Sequence, residues 1–264
     1  MSDVVKLERD GRVAVVSLNR PEKLNACSPA VFAGLRDAGV EIQSDEEIRA
    51  VLLRGEGRAF CAGLDTASLQ AFGSGNVPGS DNGDRSRDEP LAVNGFTIWH
   101  EINKPVVAAV QGYALGAGFQ LALAADIRFA SPDAVMSVFE ITYGLVPDLG
   151  GTQLLPLLVG PARAKELIWT AKRFTAEQAE AWGIVNHVTE TLEDDARAFA
   201  HDLAGRPPLP ISFTKELVHE SGRISLEEGH QRELMAQMKC LQSADMREAV
   251  AAAFEKREGS YTGS

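Results

Sequence analysis

The stretch YALGAGFQLALAAD, Tyr113 to Asp126, decides how this chain folds. It opens as a short extended segment, passes through Gly116-Ala117-Gly118 and runs straight into an apolar helix. Such small residues bring the main chain close to a ligand, and the helix start directs its positive end at whatever charge develops there. A second segment, FCAGLD at Phe60 to Asp65, has the same glycine punctuation. Each alone reads as a tight strand-to-helix connection. Together they predict two exposed backbone N–H groups able to hold an oxyanion.

Outward from these segments the chain alternates strand and helix. VVKLE, a turn at Asp10-Gly11 and VAVVSLN read as a hairpin. Ser28 followed by Pro29 reads as a helix start, with Val31, Leu35, Ala38 and Ile42 at helical spacing to about Gln43. AVLLRG, PVVAAVQG and ADIRFAS read as strands around a helix ending near Ile102 and the glycine-led helix. The alternation predicts an α/β fold. From Phe72 to Asp88 the composition turns to Gly, Ser, Asn, Asp and Arg, either a solvated loop or a lid over a ligand. GRPPLP, Gly205 to Pro210, breaks the chain, and the sequence from Phe213 to about Arg257 is helical, with an apolar stripe at Leu234, Met238 and Leu241.

The chain has 264 residues, 45% of them apolar, enough to bury a large core. A net charge of −11, from 26 basic and 37 acidic residues, disfavours nucleic acid and anionic membrane as partners. Cys27, Cys61 and Cys240 are odd in number and far apart, so no disulfide framework or zinc site is expected. The N-terminus lacks an apolar signal region and no run approaches a membrane span, and a cytoplasmic location is expected. The five histidines show no metal-ligand spacing, and His100 reads as a packing or surface residue.

Glu140 lies in MSVFEITYGLVP, a carboxylate among apolar neighbours. Burial would raise its pKa and suit it to proton transfer near neutral pH, whereas pairing with Arg128 or exposure to solvent would make it structural. Asp148 follows eight residues later in VPDLGG, where aspartate is also a common turn residue.

At this point the chain resembles the crotonase superfamily, the enoyl-CoA hydratase/isomerase family. The resemblance lies in NRPEKLNACS (19–28), AFCAGLD (59–65), NKPVVAAVQGYALGAGFQLALAADIRFAS (103–131), GLVPDLGGTQLLPLLVG (144–160), RFTAEQAEAWGIVNHV (173–188) and FEKREG (254–259). It implies a spiral of ββα units over residues 1–204, carrying the active site, and a C-terminal helical oligomerisation region over 205–264. It further implies homotrimers or dimers of trimers, and acyl-CoA substrates, with coenzyme A as part of the substrate, no permanently bound cofactor and no metal. By position, Leu64 and Ala117 would be the oxyanion donors and Lys23 the basic residue near the coenzyme's phosphates. Leu24, Ala26, Ala62 and Asp65 would line its pantetheine and adenine, Gly116 and Pro147 would border the substrate, and Phe254 and Lys256 would belong to a covering tail.

One departure shapes the expected chemistry. Hydratases of the family carry glutamates 20 positions apart, and here that pair is Gln120 and Glu140. An amide orients a water but does not exchange protons with it at neutral pH. Asp148 matches the second proton carrier of dienoyl-CoA isomerases, which commonly hold a third acid where Gln120 stands. The expected reaction is therefore double-bond isomerisation of an enoyl- or dienoyl-CoA, with Glu140 as base, Asp148 as second carrier and Gln120 as orienting group. The alternatives are a hydratase, a catalytically weak acyl-CoA-binding oligomer and, more distantly, an aryl-CoA dehalogenase using the loop aspartate.

Overall fold

Alternating apolar residues and the Asp10-Gly11 turn build the first hairpin, in which β1 (Val5–Asp10) and β2 (Val13–Leu18) pair antiparallel from Val5↔Leu18 to Asp10↔Val13. The computed structural model describes residues 3–74 and 95–264. The segment expected as a loop or lid lies outside them beyond Ser74. Helix α1 (Pro29–Ser44) follows, with Val31, Leu35, Ala38 and Ile42 on its buried face. The Ser28 side chain makes no capping bond, so the fixed φ of Pro29 at the first helical position sets this start.

Then come β3 (Ala50–Gly55), α2 (Thr66–Gly73), α3 (Ile98–Glu101), β4 (Val106–Val110), β5 (Tyr113–Leu115), α4 (Ala117–Ala124), β6 (Ile127–Ala130) and β7 (Val135–Ser137). They are followed by α5 (Gly151–Thr170), β8 (Phe174–Thr175), α6 (Ala176–Ala181), β9 (His187–Val188) and α7 (Leu192–Ala204). The last helices are α8 (Pro208–Glu220), α9 (Leu226–Gln242) and α10 (Ala244–Glu255). The chain break at Gly205 to Pro210 is shorter than the sequence suggests, because Pro208 itself opens α8.

The main sheet runs β1-β2-β3-β4-β6-β9, parallel from β2 onward, and a smaller sheet runs β5-β7-β8. Because strand side chains alternate between faces, the main sheet serves two cores. Val13, Val15, Leu52, Val107 and Ala109 pack on Ala196, Ala200 and Ala204 of α7. Val16, Leu18, Val51, Leu53, Ala108 and Val110 face the larger core, which holds α1, α4 and the small sheet. Helix α8 is fastened to this body by Lys215, whose Nζ reaches Asp126 at 2.8 Å and the carbonyls of Lys104 and Trp99 at 3.0 and 3.3 Å.

The position of α4 depends on a close approach. A Cβ at Gly118 would overlap the Cys61 carbonyl and lie 2.7 Å from the Cys61 Cβ, so only glycine lets the helix seat on the 60–65 segment. Alanine for glycine inside a helix ordinarily stabilises by about 0.5–1 kcal/mol. Here the sign should invert: Gly118→Ala is expected to destabilise by about 1–3 kcal/mol through overpacking against backbone, read as a lowered midpoint in urea unfolding.

Candidate active site

The carboxyl ends of two parallel strands deliver the site. β5 and β7 pair through Leu115↔Ser137, and Gly116 donates to Ser137 O at 2.9 Å, so the residues leaving these strands emerge side by side. After β5, Gly116 adopts φ 51° and ψ −120°, a conformation open essentially to glycine alone, and α4 begins at Ala117. After β7 the chain tightens into a 3-10 turn, Glu140–Tyr143, closed by Gly144 in the left-handed region.

The direction of each donor follows from the planarity of trans peptides, whose C=O and N–H point opposite ways. Gly63 O accepts from Cys27 N at 2.7 Å, so the Leu64 N–H points away from Cys27. Gly116 O accepts from Gln120 N at 3.0 Å along α4, so the Ala117 N–H points back out of the helix start. Among the described residues neither amide has a protein acceptor. The two segments touch: a Cβ at Gly63 would lie 2.8 Å from Leu115 O and 3.9 Å from Ala117 N. Two free donors on touching segments, one at a helix start, have the chemistry that an anionic oxygen requires.

Glu140 completes the pocket. Its carboxyl lies against Gly116, with Oε1 3.4 Å from where a Cβ on that glycine would stand. The residue is 8% exposed, and neither solvent nor Arg128 receives it. Arg128 instead donates to the carbonyls of Ile184 and Ala125. Glu140 Oε1 accepts from Gln120 Nε2 at 2.6 Å, while Oε2 is buried without a partner. Burial pushes the Glu140 pKa up, and the negative charge of Asp148 adds to the rise against the lowering by Gln120. An unpaired buried carboxylate oxygen whose proton affinity is raised has the chemistry of a general base.

Both the oxygen and the nitrogen of the Gln120 amide are engaged. Its Oε1 accepts from the backbone N–H groups of Leu149 and Gly151, each at 2.9 Å, which fixes the amide so that Nε2 faces Glu140. It thus ties the base to the loop that carries Asp148. Asp148 is exposed, and its neighbour Pro147 is buried.

The other expected residues divide into two groups. Leu24, Ala26 and Ala62 adjoin the donors, Leu24 O accepting from Ala62 N at 3.0 Å. Asp65 adjoins them too, but its carboxylate caps α2 through Ser68 N at 2.9 Å and meets Arg20 at 3.3 Å, a structural occupation. Lys23 is exposed on the 3-10 turn Pro21–Lys23. Phe254, 86% exposed, and Lys256 stand at the far end of α10, and among the described residues no side-chain hydrogen bond or ion pair joins either to Glu140, Gln120 or the donor segments.

One residue of the neighbourhood had not been singled out in the sequence. Asn25, buried with φ 55°, accepts from Arg20 N at 2.8 Å and donates to Glu56 O and Ala59 O at 2.9 and 2.7 Å. It holds the 20–27 turn against the start of the 60–65 segment. An asparagine tolerates the left-handed region, and that was its available signal.

Comparison with known proteins identifies the family and the fold. A sequence model described as Enoyl-CoA hydratase/isomerase matches residues 8–264. The chain is 36% identical over 270 residues, covering both proteins completely, to a protein named carnitinyl-CoA dehydratase from Salmonella agona (strain SL483). Among solved structures it is similar to the enoyl-CoA hydratase of Mycobacterium tuberculosis H37Rv, with a TM-score of 0.87, 34% identity and full coverage of both chains. It is similar also to the enoyl-CoA hydratase of Bacillus anthracis, with a TM-score of 0.85, 30% identity, and 99% and 100% of the two chains covered. The chain belongs to the enoyl-CoA hydratase/isomerase family, within the crotonase superfamily, and is an enzyme of the crotonase fold.

Glu140 must be ionised to accept a proton, so the acid limb of kcat/KM should lie above the usual glutamate value of 4.5. The same shift affects stability with a definite sign. The unfolded chain ionises this group first, so the fold loses stability as pH rises from 4.5 through the raised folded pKa, and the loss persists at neutral pH. Glu140→Gln removes that loss while keeping an acceptor for Gln120. It should lower kcat by about 10²–10⁴-fold while leaving Tm at pH 7 equal or higher, as measured by steady-state kinetics and thermal unfolding.

Proposed function

We propose that this enzyme isomerises the double bond of an enoyl- or dienoyl-CoA. The observation that carries the reading is the hydrogen-bonding of Gln120. Where a second carboxylate would orient and activate water, this chain holds an amide with its carbonyl on Leu149 and Gly151 and an N–H on Glu140. Among the described residues Glu140 is the buried carboxylate beside Gly116, with one oxygen free.

A single base is sufficient for the shift. The thioester carbonyl oxygen binds the Leu64 and Ala117 N–H groups, and Glu140 Oε2 removes a proton from the carbon alpha to it. The electron pair delocalises as a dienolate whose charge rests on the held oxygen. Reprotonation further along the chain, by Glu140 or by Asp148, completes the migration without water. Loss of one such donor costs about 3 kcal/mol of transition-state stabilisation.

The coenzyme follows the main-chain groove of Leu24, Ala26 and Ala62 in this reading, with Lys23 near its phosphates and Phe254 and Lys256 on a covering segment. Residues 205–264 serve oligomerisation, as trimers or dimers of trimers. The support is that Leu226, Leu234, Met238 and Leu241 of α9 expose 77%, 67%, 54% and 45% of their surface. Such a row of apolar side chains marks an association surface.

A second reading, water addition or removal, is favoured by the name of the carnitinyl-CoA dehydratase relative. The two separate in heavy water. Incubation with 2-enoyl-, 3-enoyl- and 3,5-dienoyl-CoA should give double-bond migration and deuterium incorporation without net hydration. Rapid formation of 3-hydroxyacyl-CoA would overturn the isomerase reading, and tight binding without exchange would point to a binder.

Two substitutions sharpen the assignment. Asp148→Asn should slow dienoyl isomerisation about 10-fold or more while sparing alpha-proton exchange. Gln120→Glu places a second carboxylate at hydrogen-bond distance from Glu140, so the pair should share a proton and titrate higher. This variant should gain hydration relative to isomerisation, measured as the product ratio from a single 2-enoyl-CoA incubation.

A further inference from the structure

Two thiols that the chemistry above does not use lie beneath the oxyanion segments. Cys27 and Cys61 are both free and fully buried, and their sulfurs are 3.3 Å apart. Both are tied to the donors by backbone. Cys27 donates to Gly63 O at 2.7 Å and accepts from Asp65 N at 3.0 Å, bracketing Leu64. Cys61 donates to Tyr113 O at 2.9 Å and accepts from Leu115 N at 3.0 Å, at the strand that delivers Ala117. Its Cβ also stands under Gly118 in the first turn of α4.

We propose that Cys27 and Cys61 form an oxidation site whose disulfide disables the oxyanion pocket, with a small diazene or organic disulfide as the two-electron oxidant. Two S–H bonds break and one S–S bond forms. The two electrons and two protons pass to the oxidant, whose N=N bond becomes a hydrazine or whose S–S bond becomes two thiols. The functional consequence rests on the oxyanion reading of Leu64 and Ala117.

The geometry dictates why closure would be felt. A disulfide needs sulfurs at about 2.05 Å, so this pair must approach by about 1.3 Å from its present 3.3 Å. Whatever part of that approach the backbone takes up moves the ladder bonds on either side of Leu64 or the seat of Gly118. A misplacement of about 1 Å at a reacting geometry costs about 100-fold in rate. The hydrogen bond with Cys61, together with burial, pushes the Cys27 pKa well up, which keeps thiolate scarce and makes the oxidation slow.

The test uses the full-length protein with Cys240, the remaining thiol, replaced by Ser, and diamide as the oxidant over hours. After alkylation of residual thiols and digestion without reduction, a peptide pair joined through Cys27 and Cys61 is expected. kcat should fall about 10- to 100-fold and recover with dithiothreitol. Cys27→Ala in the same background should keep its turnover in diamide, and if that variant does not fold, the cross-link map and the reversal in the parent decide. Two alkylatable thiols after prolonged exposure would overturn the proposal, as would a fully cross-linked protein turning over at the reduced protein's rate. The cross-link is read by mass, and turnover is read on whichever CoA ester the reduced protein converts. A wrong isomerase assignment would therefore not be mistaken for a failed oxidation site.

Discussion

Ala117 opens α4 with an N–H that no carbonyl of its own helix can accept, and the site depends on holding that donor close to the segment that carries the Leu64 N–H. The first N–H groups of any helix lack internal partners. What is particular here is that the strand before the helix and the segment beside it leave so little freedom. Gly116 turns the chain through φ 51°, Gly118 seats the helix on Cys61, and the Cys27 ladder bonds fix the peptide that ends in the Leu64 amide. Because both donors are main chain, no side-chain rotamer has to be ordered when charge develops. Such preorganisation is what makes an oxyanion pocket effective.

The acid group stands under the same discipline. Burial would favour neutrality in Glu140, while the Gln120 amide holds one oxygen and supports the ionised form. The outcome is a carboxylate whose proton affinity is raised yet whose position is fixed. Gln120 accomplishes this only because its own carbonyl is fixed by Leu149 and Gly151, so the loop after the base and the helix before it share a single clamp. Movement of that loop would reach Glu140 through one amide.

Local signals made most of the architecture legible. The Asp10-Gly11 turn, Pro29, the AVLLRG strand and the glycine-led helix are properties of neighbouring residues, and the structure places them as read. The burial of Glu140 was one of the alternatives its apolar neighbours allowed. What the sequence hid is non-local. Gln120 meets partners 29 and 31 residues away, Cys27 meets Cys61 across 34, and Asn25 bonds Ala59 across 34. None of these pairings has a periodic signature, because each arises where separate turns of the spiral come together. The use of Asp65 as a helix cap paired with Arg20 was hidden for the same reason.

The amide at position 120 also settles what kind of electrostatics the pocket can have. Two carboxylates separated by the 2.6 Å found between Gln120 Nε2 and Glu140 Oε1 could not both ionise, and would act as one unit sharing a proton. With the amide in place, the neighbouring charge that acts on Glu140 is that of Asp148, farther along the loop and exposed to solvent. Asp148 thus acts on Glu140 through its charge, and among the described residues no hydrogen bond joins the two carboxylates. In the reaction proposed above, two acids so separated suit removal at one carbon and return at another. A water held between two close acids suits addition across a single bond.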